Sequence, residues 1–170
     1  ETFGGLHLKY GICPDLSILG KTLGNGYAIT AVIGTQPVMD VSQSTFISST
    51  FFTERIGFVA GLATLDEMEK QKSWKQISEK GARFKKNLSR LCDLHSLDVD
   101  ITGMDALVTF NFKYPTPSLC KTYVTQEMLK HNFLAGNLFY PSIAHSNQDI
   151  DDFFNSLDEV LKNLSKIISN

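Results

Sequence analysis

An α/β fold is predicted by three features of this 170-residue chain. The run from Pro14 to Gly20 is short, apolar and closed by a glycine, and the run from Ala28 to Gly34 repeats that form with β-branched residues, as buried strands do. Beyond residue 73, apolar positions recur at spacings of three and four over long stretches, the period of amphipathic helices. From Leu107 to Phe112 the pattern changes again, with Thr109 and Asn111 alternating with apolar neighbours as in a half-buried strand.

Taken in order, the first two runs are apolar without alternation, which suits a sheet covered on both faces. Between them lies a glycine-rich turn containing Lys21, Gly24 and Gly26. Thr53-Glu54-Arg55 opens a helix that reaches about Lys70, and its small residues Gly57, Ala60, Gly61 and Ala63 let a neighbouring backbone approach closely. The chain changes character between Lys70 and Trp74, so residues 1–72 and 73–170 are expected to form separate domains. The next helix carries one apolar stripe, Trp74, Ile77, Gly81, Phe84, Leu88 and Leu91, which reads as core. Lys75, Glu79, Lys80, Arg83 and Lys86 on its other face read as solvated surface. Two prolines make residues 113–118 a loop. Thr122 to His131 reads as a helix. In the last helix Ser146 is the cap and Asp149 returns the bond at capping-box spacing. Asp151 and Asp152 lie where the helix dipole favours negative charge, and Ile150, Phe153, Leu157, Val160, Leu164 and Ile167 form the buried stripe.

A net charge of −2 gives no electrostatic reason to expect nucleic acid or an anionic membrane as partner. No apolar run approaches the roughly 20 residues of a membrane-spanning helix. The first residues, Glu1 to Gly5, do not read as a secretory signal, and the absence of an initiator Met fits a chain taken from a longer precursor. Cys13, Cys92 and Cys120 are odd in number and widely spaced, which makes neither a disulfide framework nor a metal site and suggests reduced thiols in a cytoplasmic protein.

The segment with most chemical content runs from Leu19 through Gly20, Lys21, Thr22, Leu23, Gly24, Asn25 and Gly26 to Tyr27. Glycines let such a turn fold tightly beside a planar ligand. An amine held in a partly dry place has its charged form disfavoured and becomes a nucleophile, as Schiff-base chemistry requires. A plain surface-turn lysine is the other reading of the same residues. Ser49 and Thr50 precede a helix amino end, where free N–H groups and the dipole attract an anion; alternatively Thr50 or Thr53 is a helix cap.

The stretch from Gly4 through Tyr10-Gly11 and Pro14-Asp15, followed by Gly20-Lys21 and the glycine-rich turn, resembles the cofactor-lysine region of class III aminotransferases. The resemblance continues through Ser49 to Arg55 and Gly61 to Leu65, and returns at Ala144-His145-Ser146 with Asp149-Ile150-Asp151, so that it covers nearly the whole chain in order. It implies the fold type I architecture of pyridoxal-phosphate enzymes, with residues 1–72 from the large cofactor-binding domain and 73–170 as the α+β carboxyl-terminal small domain. It implies amino-group transfer between small-molecule donor and acceptor, with pyridoxal 5′-phosphate as cofactor and Lys21 as the Schiff-base lysine and proton carrier. Thr50, with Ser49 beside it, matches the threonine that binds the cofactor phosphate, typically across the interface of a homodimer.

Thr53-Glu54-Arg55 stands where family members often have a small residue, asparagine and proline. Thr102 precedes Gly103 where many have a carboxylate-binding arginine, which resembles the glutamate-1-semialdehyde aminomutase branch and makes intramolecular amino transfer the alternative reaction. The segment from Leu134 to Ser142 is shorter than in those aminomutases. A non-catalytic scaffold that keeps the fold is the third reading. The family's aspartate for the pyridine nitrogen and its ring-stacking residues would lie upstream of Glu1, so the 170-residue chain alone is expected to be inactive. The resemblance gives no catalytic role to three further residues. His7 faces a site or packs at the surface. Arg55 binds a carboxylate, a neighbouring subunit or a helix-surface partner. His145 reads as structural.

Overall fold

The computed structural model describes residues 1–169. It divides into two compact units, Glu1–Ser73 and a second from Trp74 onward. Among the described residues no helix is long and apolar enough to cross a membrane.

In the first unit, β1 (Leu16–Leu19) and β2 (Ala31–Gly34) pair antiparallel, Leu19 opposite Ala31 and Leu16 opposite Gly34. Both strands are shorter than the apolar runs that contain them. Helix α1 (Gln36–Met39) and a 3-10 segment follow, then α2 (Ile56–Gln71). The covered sheet expected from the apolar runs is not completed by the described residues: Ile18 is 80% exposed, and Val32 and Ile33 about half exposed. This unit has no apolar core of its own, and its buried positions are Gly24, Gly57, Gly61 and Ser73.

The second unit holds every buried hydrophobic residue of the core, from Phe84 to Leu164. Helix α3 (Ser73–Leu94, whose first residue falls in the first unit) and helix α5 (Asn147–Ile168) cover a three-stranded antiparallel sheet in the order β3 (Val99–Met104), β4 (Leu107–Phe112), β5 (Leu138–Phe139), with α4 (Pro117–Lys130) between the last two. Val108, Phe110 and Phe112 of β4 point into the core, as the alternation requires. On α3, Gly81, Phe84, Leu88 and Leu91 are buried and Trp74 and Ile77 half-buried. Lys80 and Arg83 are not merely solvated: Lys80 Nζ donates to the carbonyls of Ser142 and Ile143, at 3.1 and 3.0 Å, and Arg83 pairs with Asp151.

Two expectations are corrected. Helix α4 starts at Pro117, five residues before Thr122, because proline at the first helical position gives up an N–H that has no partner there anyway. The buried stripe of α5 runs through Phe154 and Leu161 while Ile167 is 57% exposed, because the stripe passes from Leu164 to Ile168, four residues on, and leaves Ile167 on the outer face. Strands β3 and β5 were not anticipated, although Leu97, Val99 and Ile101 alternate with polar residues; β3 ends in Gly103 and Met104, and β5 is only two residues long. The Ser146–Asp149 capping box forms as its spacing implies.

Candidate active site

Lys21 stands directly after β1, in the loop that returns the chain to β2. Gly20 is extended, and Lys21 turns to φ +48°, beginning a 3-10 turn in which Leu23 N–H donates to the Gly20 carbonyl at 3.2 Å. Asn25 and Gly26 also have positive φ, and Tyr27 N–H closes the loop on the Gly24 carbonyl at 3.0 Å. A left-handed lysine costs about 1–2 kcal/mol and has no side-chain device to offset it, unlike asparagine. Such residues persist where their surroundings over-determine them, and they cluster at active sites.

The loop lines an open cleft of about 600 Å³ through Lys21, Tyr27 and Thr30, together with Ser49, Phe51, Phe52, Glu54 and Gly57 of α2. Lys21 and Ser49 are thereby brought into one cleft. Thr50 is exposed and does not line it. The side chain of Lys21 is exposed and takes no hydrogen bond or ion pair among the described residues, so these residues do not supply the dry surroundings expected for its amine.

The anion-binding helix end is also corrected. Thr50 and Ser49 lie six and seven positions before the first residue of α2, and neither Thr50 nor Thr53 caps it. Arg55 holds the cap position without a side-chain bond, while the Glu54 carboxylate accepts from Ile56 N–H at 2.8 Å. A carboxylate thus already occupies the place where the helix dipole would draw an anion. Ser49 Oγ instead accepts from Phe51 N–H at 3.2 Å and shapes the preceding turn.

Phe51, Phe52 and Glu54 were not assigned roles from sequence, although two adjacent aromatics beside a predicted anion site were a usable signal. His7 lies in the 3-10 turn Leu6–Tyr10 and does not line the cleft. Arg55 forms no ion pair among the described residues. It lines a neighbouring groove with Tyr27 and Ile56. In the second unit, His145 Nδ1 accepts from Ser142 N–H at 3.0 Å and the ring lies 5.3 Å from that of Phe139, which ties the entry of α5 to β5. Thr102 and Thr109 pair across β3 and β4 through their hydroxyls at 2.7 Å. No cluster of metal ligands occurs among the described residues.

The family profile described as aminotransferase class-III matches residues 1–161. A 3-aminobutyryl-CoA aminotransferase of Cloacimonas acidaminovorans is 28% identical, over 98% of this chain and 42% of its own length. A glutamate-1-semialdehyde 2,1-aminomutase of Natranaerobius thermophilus is 25% identical, over 98% of this chain and 43% of its own. The chain therefore spans about two-fifths of the curated relatives it matches. Among solved structures, the FumI protein of Sphingopyxis sp. MTA144, in its PLP internal aldimine form, superposes with a TM-score of 0.87 at 22% identity, covering 96% of this chain and 40% of that one. An omega-transaminase from Sphaerobacter thermophilus gives 0.84 at 17% identity, covering 95% and 41%. The chain carries part of the fold of these transaminases.

Proposed function

The chain belongs to the class-III aminotransferase family, and on that premise we propose that it carries the lysine-bearing part of a pyridoxal-phosphate-dependent amino-transfer site. The observation that carries this reading is Lys21 itself: a lysine at φ +48°, in a glycine-rich loop, on the wall of an open cleft.

The residues present fit the cofactor. Tyr27, Phe51 and Phe52 offer apolar faces to a planar ring, the Ser49 hydroxyl offers a donor to a phosphate, and about 600 Å³ lies within the range of small-molecule sites. When bound, pyridoxal 5′-phosphate supplies an electron sink for carbanion chemistry. Lys21 would hold the cofactor through Nζ, and the same amine would carry the proton that amino transfer moves. Thr50, outside this chain's own cleft, serves the phosphate of a second subunit, so that the working form is a homodimer with the site at the interface. Residues 1–72 then belong to the large domain and 73–170 to the small one, in a cytoplasmic enzyme.

Intramolecular transfer is the second reading, supported by the aminomutase relatives and by Thr102 bonding to Thr109 where a carboxylate-binding arginine would stand. An external oxo-acid requirement separates the two, because a mutase needs no acceptor. The primary test is borohydride reduction of the full-length parent protein followed by peptide mass mapping. A phosphopyridoxyl group on Lys21 is expected, and an unmodified Lys21 in folded, cofactor-supplied protein would remove the catalytic reading.

A further inference from the structure

We propose that Gly57 of α2 is a positioning residue for Lys21, setting the height of the lysine loop by direct backbone contact; the inference rests on the functional reading above. The first unit has no buried apolar core, so few side-chain contacts besides those of Ile29 place the loop. Three of its four buried positions, Gly24, Gly57 and Gly61, are glycines approached by a backbone oxygen. A β-carbon on Gly57 would stand 2.8 Å from the Ala28 carbonyl oxygen, closer than real β-carbons come, and 3.2 Å from Ile29 Cβ, tighter than most. The carbonyl cannot rotate away as a flexible side chain could, because it belongs to the loop itself.

From Ala28 the contact is handed to the lysine in two steps. Thr30 follows two residues on, and its Cγ2 would lie 3.3 Å from a β-carbon on Gly20, the residue before Lys21. Leu19 and Ala31 are paired across β1 and β2, so the two arms of the loop move together. Lys21, Ala28, Thr30 and Gly57 all line the same cleft. A methyl group at position 57 therefore lifts the Ala28–Thr30 arm and with it the strained turn that aims Lys21. Gly61, one turn along α2, faces the same loop but with room: a β-carbon there would make ordinary contacts of 3.6 Å with Ile29 Cδ1 and 3.7 Å with the Leu23 carbonyl. Gly61 is interior to α2 and Gly57 is its second residue, so Gly61→Ala gains the full helix propensity without the close contact.

The test uses the full-length, cofactor-loaded parent protein. Three quantities are read: the fraction of Lys21 trapped by borohydride, the pH at which the absorbance of the lysine-linked cofactor changes, and kcat and KM separately. For Gly57→Ala the trapped fraction falls, the absorbance titration moves, and kcat drops roughly 10- to 100-fold with KM little changed, the scale expected for misplacing a reacting group by about an ångström. Gly61→Ala stays within about twofold of wild type, since no such misplacement arises. Should Gly57→Ala fail to fold, Thr30→Ser decides, because it removes the Cγ2 methyl group that lies over Gly20 and keeps the hydroxyl, and the trapped fraction should again fall. Wild-type trapping and titration in the folded variant, with only the melting temperature lowered, overturns the positioning role. Failure of wild type itself to trap at Lys21 sinks the functional reading instead.

Discussion

Gly81 of α3 lies so close beneath Asp105, in the turn between β3 and β4, that a β-carbon on it would overlap the Asp105 carbonyl oxygen. The hairpin is further held by Lys85, whose Nζ donates to the Gly103 carbonyl at 2.6 Å and pairs with Asp105 at 3.0 Å. Gly81→Ala cannot be relieved by a rotamer change and must push the hairpin off the helix. A loss of roughly 3 kcal/mol is expected, at the upper end of overpacking effects and despite the better helix propensity of alanine. Chemical denaturation of the two proteins checks it, and an unchanged midpoint would show that the hairpin is not seated on α3.

Truncation in the second unit should cost far more than truncation in the first. Leu88 is 1% exposed at the centre of the core, so Leu88→Ala is expected to destabilise by about 2–5 kcal/mol. A polypeptide starting near Trp74 should unfold cooperatively, whereas residues 1–73 alone should not, because nothing in them forms an apolar core. Circular dichroism melts of the two fragments distinguish these outcomes.

The Ser146–Asp149 capping box predicts a specific pH dependence. Ser146 Oγ accepts from Asp149 N–H at 3.0 Å, and Asp149 Oδ2 accepts from the Ser146 backbone N–H at 2.7 Å and is bonded to its hydroxyl at 2.7 Å. The Ser146 hydroxyl, and then its backbone N–H, hold the Asp149 carboxyl below its ordinary value of 3.8. The unfolded chain therefore binds this proton more readily, so the contribution is complete above about pH 4 and is lost as pH falls through the lowered native value. Asp149→Asn should melt earlier than wild type at pH 6 and match it at strongly acid pH. Ser146→Ala should cost about 1 kcal/mol as a lost cap.

Thiol chemistry separates the cysteines. Burial, and then the neighbouring Asp93 charge, push the Cys92 thiol up to about 11, and Cys92 and Cys120 are 4% and 5% exposed. At pH 8 roughly one Cys92 in a thousand is thiolate, so native labelling there should be slow and should appear only on unfolding. Mass mapping after a timed iodoacetamide pulse, with and without denaturant, measures it; fast native labelling at Cys92 would mean that α3 opens locally.

Lys21→Ala in the parent protein should abolish borohydride trapping and lower amino transfer by at least about a hundredfold, since on the proposed reading one nitrogen serves as both attachment point and proton carrier. Retention of the biological role without trapping would favour the scaffold reading.

Periodicity alone determined the helices α3 and α5, the alternating strand β4 and the capping box, because each rests on neighbours within a few residues of one another. The glycine-flanked lysine was likewise legible, since the turn demands residue types that sequence displays directly. Tertiary structure alone decided that Lys80 and Arg83 reach across to residues 142–151, that Glu54 takes the amino end of α2, and that Phe51 and Phe52 join Lys21 in one cleft. These are meetings of residues far apart in the chain or of groups whose direction a turn sets, and neither leaves a period in the sequence. The same holds for Gly57 and Gly81. Sequence marks them as small, but only the backbone that lies against them shows why a single methyl group is too much.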